Sequence, residues 1–161
     1  MTNSLGYVGI HKKDEFSFFD LLEAVKSKKN FHKVGAIATF VGVVRGETLD
    51  GKDVEEMEIE AYEDQANKVL GSICGDLKKQ KGIIEVQIHH FVGKFSVGED
   101  LVYVIVAGAH RENVFGVLQK AVERYKSETP VFKKEYIINE NGAKESYWVS
   151  EREIQQKRRK N

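Results

Sequence analysis

Several features are scarce or missing in this sequence, and each absence excludes a class of protein. The 161-residue chain has one cysteine, so an internal disulfide cannot form. Its 25 basic and 25 acidic residues cancel, which leaves no overall positive charge to recruit nucleic acid. The longest apolar run, 101–109, is far too short to span a bilayer. Because no secretory signal pattern is present either, we expect a soluble globular protein of the cytoplasm.

Chain length and composition favour one domain followed by a charged tail. The chain is long enough to bury one sizeable hydrophobic core. It contains no internal repeat or low-complexity linker that would mark a domain boundary. We therefore predict a single domain over residues 1–150 and a polar, basic tail over 151–161. A terminal charge run is typical of a solvated tail, and RNA binding is the minor alternative.

Hydrophobic periodicity predicts an α+β protein. A weak capping box at Ser17 and Asp20 marks the start of the first helix. Apolar and polar residues alternate over 54–62 and 84–90, which is typical of strands with one buried face. The segments 35–44 and 101–107 are apolar throughout and indicate buried strands. The predicted helices are 17–28, 63–79 and the segment after His110, and the predicted strands are 35–44, 54–62, 84–90, 101–107, 131–138 and 146–149.

The segment 109–135 combines an amphipathic helix with clustered basic residues. His110 and Arg111 precede the helix, and Lys126 lies near its end on the margin of the apolar stripe. The single proline, Pro130, stops the helix, so Lys133 enters a new segment soon afterwards. The predicted apolar stripe consists of Val114, Phe115, Leu118, Ala121, Val122 and Tyr125.

Basic side chains at the ends of predicted elements form a candidate anion site. If folding gathers them, the cavity is multiply cationic and suits a phosphate or a carboxylate. Clustered lysines would also lower one another's pKa and supply a proton donor or a neutral amine. The alternative is a set of separate surface cations, which for Arg45 alone is the favoured interpretation. The candidate residues are Arg45, His110, Arg111, Lys126, Lys133 and Lys134.

The sequence offers little for thiol or metal chemistry. Cys74 lies beside the apolar stripe of the helix predicted over 63–79, where a cysteine is usually a small buried hydrophobe. Any sulfur chemistry therefore requires sulfur carried by another molecule. His89 and His90 alternate across a predicted strand and cannot easily share one metal ion. No other group has the spacing of metal ligands, so we predict no metal.

A series of motifs in a fixed order closely resembles the large, catalytic subunits of molybdopterin synthase, over nearly the whole chain. A glycine-rich strand motif appears as 35–45, an acidic-tyrosine stretch as 58–62, and a histidine-glycine segment as 90–99. The run 109–115 carries the family's Ala-His-Arg motif, and 148–152 its closing Trp-Val pair and arginine. The most characteristic signature appears as Tyr125, Lys126, Pro130, Lys133 and Glu135.

This resemblance implies both a fold and a reaction. The implied fold is an α/β-hammerhead-type α+β fold, with a mixed or antiparallel sheet and packed helices. The implied assembly is a homodimer that carries a small ubiquitin-like sulfur-carrier subunit at each outer end, which makes a heterotetramer. The carrier's C-terminal thiocarboxylate supplies two sulfurs to cyclic pyranopterin monophosphate, whose cyclic phosphate opens as the dithiolene of molybdopterin forms. That pterin is the substrate, and no permanently bound cofactor is expected.

The resemblance also assigns roles to individual residues. Lys126 and Lys133 match the catalytic lysines, which hold the thiocarboxylate and stabilise negative charge as it develops. Lys134 is a supporting cation. The residues expected to hold the phosphate and the pterin, in part from the second protomer, are Arg45, His110, Arg111 and Arg152.

Two positions depart from the family pattern. Phe91 stands where relatives often have arginine, so a charge is lost there. Phe132 stands where relatives often have tryptophan, and we expect it to keep an aromatic wall in the pocket.

Two other functions are compatible with the same residues. One is a Schiff-base enzyme that uses Lys126 or Lys133 on a phosphorylated carbonyl compound. The other is a non-catalytic module that docks a ubiquitin-like protein. Both require the ordered motifs to be coincidental, so we rank them below the synthase.

Overall fold

The structure is a computed structural model, which describes residues 7–149 and residue 160. Within this part, three α-helices pack against seven strands, as expected for an α+β protein. Arg152 and most of the predicted tail lie outside the described residues. The elements are β1 (Gly9–Lys12), α1 (Phe18–Lys26), β2 (Ala36–Val43), β3 (Val54–Ala61), α2 (Glu63–Lys78), β4 (Ile83–Ser96), β5 (Asp100–Gly108), α3 (Arg111–Glu128), β6 (Val131–Ile138) and β7 (Lys144–Val149), with a 3₁₀ turn at Lys29–Lys33.

The strands follow the order β2-β5-β4-β3-β6-β7, and neighbours in this order are antiparallel. The long strand β4 pairs with β5 up to His90, opposite Val102, and with β3 from Gly93, opposite Ile59. The short strand β1 runs parallel to the middle of β4. The sheet is therefore mixed, and β4 connects its two halves.

Local sequence signals account for where the helices begin and end. Ser17 caps α1: its Oγ accepts a hydrogen bond from the Asp20 amide at 3.1 Å, while the Ser17 amide donates to the Asp20 carboxylate at 2.8 Å. This confirms the predicted capping box. Before Pro130, Thr129 adopts an extended conformation (φ −86°, ψ 129°) and ends α3 as predicted.

The core-facing stripe of α3 differs from the predicted one. Phe115 is 65% exposed, and Val117 is buried in its place, between Val114 and Ala121. These three positions, followed by Tyr125, repeat every three or four residues and so share one face of the helix. Phe115 lies about 100° round the helix from Val114, which turns it away from the sheet.

The burial of two strands differs from the prediction because of their positions in the sheet. β2 was predicted to be buried, but it is an edge strand, and Val43 is 50% exposed. β4 was predicted to be half-buried, but it is central and its polar residues Glu85, Gln87 and His89 are buried as well. β4 also extends beyond the predicted strand 84–90, as far as Ser96.

The buried polar residues of β4 are satisfied by specific partners. His89 Nδ1 lies 2.8 Å from His11 Nε2, and His11 Nδ1 lies 2.8 Å from the Glu15 carboxylate. His89 Nε2 contacts the Gln87 side-chain oxygen at 2.9 Å. Glu85 binds the ammonium groups of two lysines: Lys28 at 2.6 Å and Lys78 at 2.9 Å. Burial raises the pKa of Glu85, but these two lysines outweigh it and leave the pKa below its ordinary value.

Among the described helices, none is long and apolar enough to cross a membrane.

We predict that acid weakens the fold through His89 and His90. Burial is the main reason that the pKa of each falls from 6.5 to about 3. Below about pH 6.5 these two histidines are therefore protonated in the unfolded chain but remain neutral in the folded chain. The free energy of unfolding should fall by about 1.4 kcal/mol per pH unit for each histidine as the pH drops from 6 to 4.

Urea unfolding at pH 7, 6, 5 and 4 measures this effect. His89→Gln should reduce the slope, because it removes one of these buried histidines. Equal stability of the wild type at pH 7 and pH 5 would contradict the prediction.

Candidate functional site

A cavity of about 330 Å³ opens where the two halves of the sheet meet, beside the C-terminal end of α3. Its walls come from β2 and the loop after it, from the start of β5, and from β6 and β7. β4 contributes His90, and α3 contributes Tyr125 and Lys126. Because every wall comes from a different element, the cavity exists only in the folded chain.

Three of the predicted cations meet in this cavity. Arg45 enters from the loop after β2, Lys126 from the last turn of α3, and Lys133 from β6. The Lys126 ammonium lies 6.0 Å from the centre of the Phe40 ring. The short connection through Pro130 reverses the chain, so β6 brings Lys133 back to the cavity that Lys126 lines. Arg45 is therefore not an isolated surface cation.

Acidic side chains, which the sequence analysis did not select, line the cavity beside the cations. Three carboxylates, from Glu47, Asp50 and Glu135, share the walls with the three cations. Glu135 faces the same way as Lys133 because side chains two positions apart lie on one face of a strand. It accepts a hydrogen bond from the Tyr147 hydroxyl at 2.7 Å. Burial, together with this carboxylate, raises the pKa of Tyr147.

His90 is a cavity residue that reasoning from the sequence did not select. It is buried on β4, and its Nδ1 lies 3.1 Å from the Phe91 carbonyl oxygen. Burial is the largest cause that lowers its pKa to about 3, followed by the charge of Lys133. The alternation along β4 already placed His90 with Val86 and Ile88, on the face opposite His89.

Two predicted site residues lie far from the cavity within one chain. Arg111 and Lys126 occupy opposite ends of α3, which separates them by roughly 22 Å along the helix axis. His110, the N-cap residue, lies at the Arg111 end. Arg111 is exposed and lies 3.9 Å from its neighbour Glu112. The backbone amides at this end of α3 therefore cannot contribute to the cavity either.

Lys134 lies on the opposite face of β6 from Lys133. Its ammonium is 5.5 Å from the ring centres of both Tyr136 and Trp148. The described chain therefore brings Lys133, but not Lys134, into the cavity.

The two phenylalanines that depart from the family pattern have separate surroundings. Phe132 is exposed and meets Tyr62 edge to face at 5.2 Å, so the expected aromatic pocket wall is not formed by this residue. Phe91 is buried against Phe16 and Tyr103, each with ring centres 5.2 Å away. An aromatic core contact thus fills the position where relatives often have arginine.

Cys74 is buried in α2, as the sequence predicts. Burial raises the pKa of its thiol to about 12. Within residues 7–149 and 160, no cluster of three or more His, Cys, Asp or Glu side chains could hold a metal ion.

Comparison with known proteins identifies relatives over most of the chain. The family described as MoaE protein matches residues 12–128. A probable molybdopterin synthase of Haloferax volcanii is 35% identical over 82% of this chain, which spans about half (49%) of that protein's length. A molybdopterin synthase catalytic subunit of Thermoplasma volcanium is 31% identical over 85% of this chain and 96% of its own length.

A solved structure has the same fold. The crystal structure of molybdopterin synthase from Staphylococcus aureus superposes with a TM-score of 0.75 at 26% identity, covering 89% of this chain and 96% of that one. This match confirms the α+β fold that the resemblance implied.

We predict that Cys74 is chemically inert in the folded protein. A thiol with a pKa of about 12 has almost no thiolate at neutral pH. Alkylation by iodoacetamide at pH 7.5, followed by intact-mass spectrometry, should be at least about a hundredfold slower in the native protein than in urea. Rapid modification of the native protein would show that the thiol is accessible and reactive.

Proposed function

The chain belongs to the MoaE protein family, and from this membership we propose that it is the catalytic subunit of a molybdopterin synthase. In this proposal it transfers sulfur from the C-terminal thiocarboxylate of a small ubiquitin-like carrier to cyclic pyranopterin monophosphate. Two transfers open the cyclic phosphate and form the dithiolene of molybdopterin. The reaction is a step of molybdenum cofactor biosynthesis.

The observation that supports this proposal most strongly is the cavity shared by Arg45, Lys126 and Lys133. Its volume of about 330 Å³ lies in the range typical of small-molecule sites. A carrier tail and a phosphorylated pterin are both anionic, and ammonium and guanidinium groups are suitable partners for them. Arg45 binds the phosphate in this proposal, because its planar guanidinium can donate two hydrogen bonds at once.

Lys126 and Lys133 are the proposed catalytic residues. Their ammonium groups hold the thiocarboxylate beside the pterin and stabilise negative charge as it develops on oxygen. A lysine can also give a proton to the departing oxygen. The carboxylates of Glu47, Asp50 and Glu135 offset these charges before ligands bind. The enzyme then does not have to bury three unpaired cations in the empty cavity, which would be costly.

Cys74 supports an external source of sulfur. It is buried, and its raised pKa keeps it protonated, so it is a poor carrier of transferable sulfur. The sulfur therefore arrives on the carrier subunit in this proposal. The pterin is a substrate, and no resident cofactor is proposed. A cytoplasmic location, where the thiol stays reduced, belongs to the same proposal.

A second copy of the chain completes the site. His110 and Arg111 lie too far from Lys126 to act with it in one chain. In a two-fold homodimer, the same surface patch of both protomers forms the interface, so residues that lie in this patch can enter the partner's cavity. We therefore propose a homodimer, with one carrier bound to each protomer.

Replacement of either catalytic lysine should abolish the synthase reaction. Purified protein is mixed with thiocarboxylated carrier and cyclic pyranopterin monophosphate, and molybdopterin is measured by mass spectrometry. Lys126→Ala and Lys133→Ala should each reduce the rate by at least about a hundredfold, which corresponds to losing one strong electrostatic contact in the transition state. Lys134→Ala is the matched control: it removes the neighbouring ammonium on the other face of β6 and should retain activity.

The same experiment separates the alternatives. Carrier binding without any product from the wild type would favour a docking module. A substrate adduct trapped by borohydride on Lys126 or Lys133 would favour a Schiff-base enzyme. Equal activity of Lys133→Ala and Lys134→Ala would contradict the proposed site.

Mixing two inactive variants tests the contribution of the second copy. In a dimer of one Lys126→Ala chain and one Arg111→Ala chain, one cavity keeps its own lysine and receives Arg111 from the partner. Random exchange makes half of the dimers mixed, so activity should recover to about a quarter of the wild-type value. If Arg111 acts within its own chain, the mixed dimers will contain no complete cavity and activity will not recover. If Arg111 has no part in the reaction, Arg111→Ala will be active by itself.

A further inference from the structure

His90 is held at the point where β4 changes partners. It pairs with Val102 of β5, and three residues later Gly93 pairs with Ile59 of β3. The backbone on either side of His90 is therefore fixed by the two halves of the sheet. The side chain is almost completely buried (1% exposed) and lines the cavity.

One hydrogen bond determines the tautomer of His90. Its Nδ1 lies 3.1 Å from the Phe91 carbonyl oxygen, which can only accept a hydrogen bond, so Nδ1 carries the proton. In the neutral ring, Nε2 then has a free lone pair and can only accept. Tyr125 of α3 meets the ring edge to face at 5.9 Å and holds it from the helix side. The sheet and the helix together fix the ring's orientation.

The His90 ring is neutral near pH 7. Burial and the charges of Lys133 and Lys126 lower its pKa to about 3. Both lysines line the same cavity as the ring, and Lys133 has the larger effect on its pKa. The other titratable groups that face the cavity are Arg45, Glu47, Asp50, Tyr125, Glu135 and Tyr147.

We propose that His90 is a positioning residue for Lys133: its Nε2 accepts a hydrogen bond from the Lys133 ammonium, directly or through one water, and so holds that ammonium directed into the cavity. The inference rests on the proposed function, since a fixed ammonium is what an anionic substrate requires there. A neutral acceptor suits this purpose better than a carboxylate, because it holds the ammonium without cancelling its charge.

The test is the pKa of Lys133, measured by NMR of the labelled lysine side chains, with Lys133→Arg used to assign the signal. Removal of the acceptor in His90→Phe should lower this pKa by about one unit, because the ammonium loses a hydrogen bond that favours its charged form. His90→Gln keeps an acceptor at the end of the side chain, so the pKa of Lys133 in this variant should stay close to the wild-type value. His89→Gln is the matched control on the opposite face of β4, and it should leave the pKa of Lys133 unchanged.

The rate of molybdopterin formation provides a second readout. The alkaline limb of its pH profile should move to lower pH in His90→Phe by the same amount as the pKa of Lys133. Equal Lys133 pKa values in the wild type and in folded His90→Phe, or equal shifts in the Phe and Gln variants, would overturn the inference. If the Phe variant does not fold, His90→Met takes its place in the comparison with His90→Gln.

The titration needs no substrate, so the two proposals can fail separately. A shift of the Lys133 pKa in a protein that forms no molybdopterin would keep the positioning role and reject the proposed function. Molybdopterin formation by the wild type, together with an unchanged Lys133 pKa in His90→Phe, would keep the proposed function and reject the positioning role.

Discussion

The pairing of one strand with both halves of the sheet is the constraint on which the rest of the structure depends. β4 bonds to β5 along its first part and to β3 along its last part, and the side chains on both faces of its middle, from Glu85 to Phe91, are buried. A strand in this position must satisfy every polar side chain that it buries. His89 meets this demand through His11, and Glu85 meets it through Lys28 and Lys78. The cavity forms where β4 passes from one half to the other, and His90 lies at that point.

Charge balance in the cavity is the second organising feature. Three cations and three carboxylates line the same small volume, so the empty site has little net charge to desolvate. In the proposed function, attraction of an anion therefore depends on exchange of partners inside the cavity rather than on a long-range field. This agrees with a chain whose total charge is zero. It also makes a neutral acceptor such as His90 valuable, since it binds a lysine without reducing the charge available to a ligand.

The sequence predicted those parts of the fold that depend on neighbouring residues. The capping box at Ser17, the end of α3 before Pro130 and the full extent of β6 all follow from local chemistry, and the structure confirms them. It did not predict which strands are central and which lie at an edge, because pairing joins residues that are distant in the chain. That is why the burial of β2 and of β4 was predicted wrongly, in opposite directions.

Prediction of the site was limited in a similar way. Of the six basic residues expected together, three lie in the cavity, and the turn at Pro130 brings two of these together by returning the chain to the end of α3. The carboxylates and His90 were missed, although strand alternation places Glu135 on the side of Lys133. His110 and Arg111 could not be placed from one chain, since periodicity shows where a helix begins but not which molecule its end meets. Arg152 lies outside the described residues.

The most direct measurement of the central claim is a lysine footprint, read by mass spectrometry after brief labelling with an amine reagent. The protein is labelled alone and with saturating cyclic pyranopterin monophosphate. If the cavity is the substrate site, Lys126 and Lys133 will lose reactivity when the pterin is bound, while Lys134 and Lys120 will label equally in both samples. Unchanged labelling of Lys126 and Lys133 under saturation, or protection confined to lysines outside the cavity, would show that the substrate binds elsewhere.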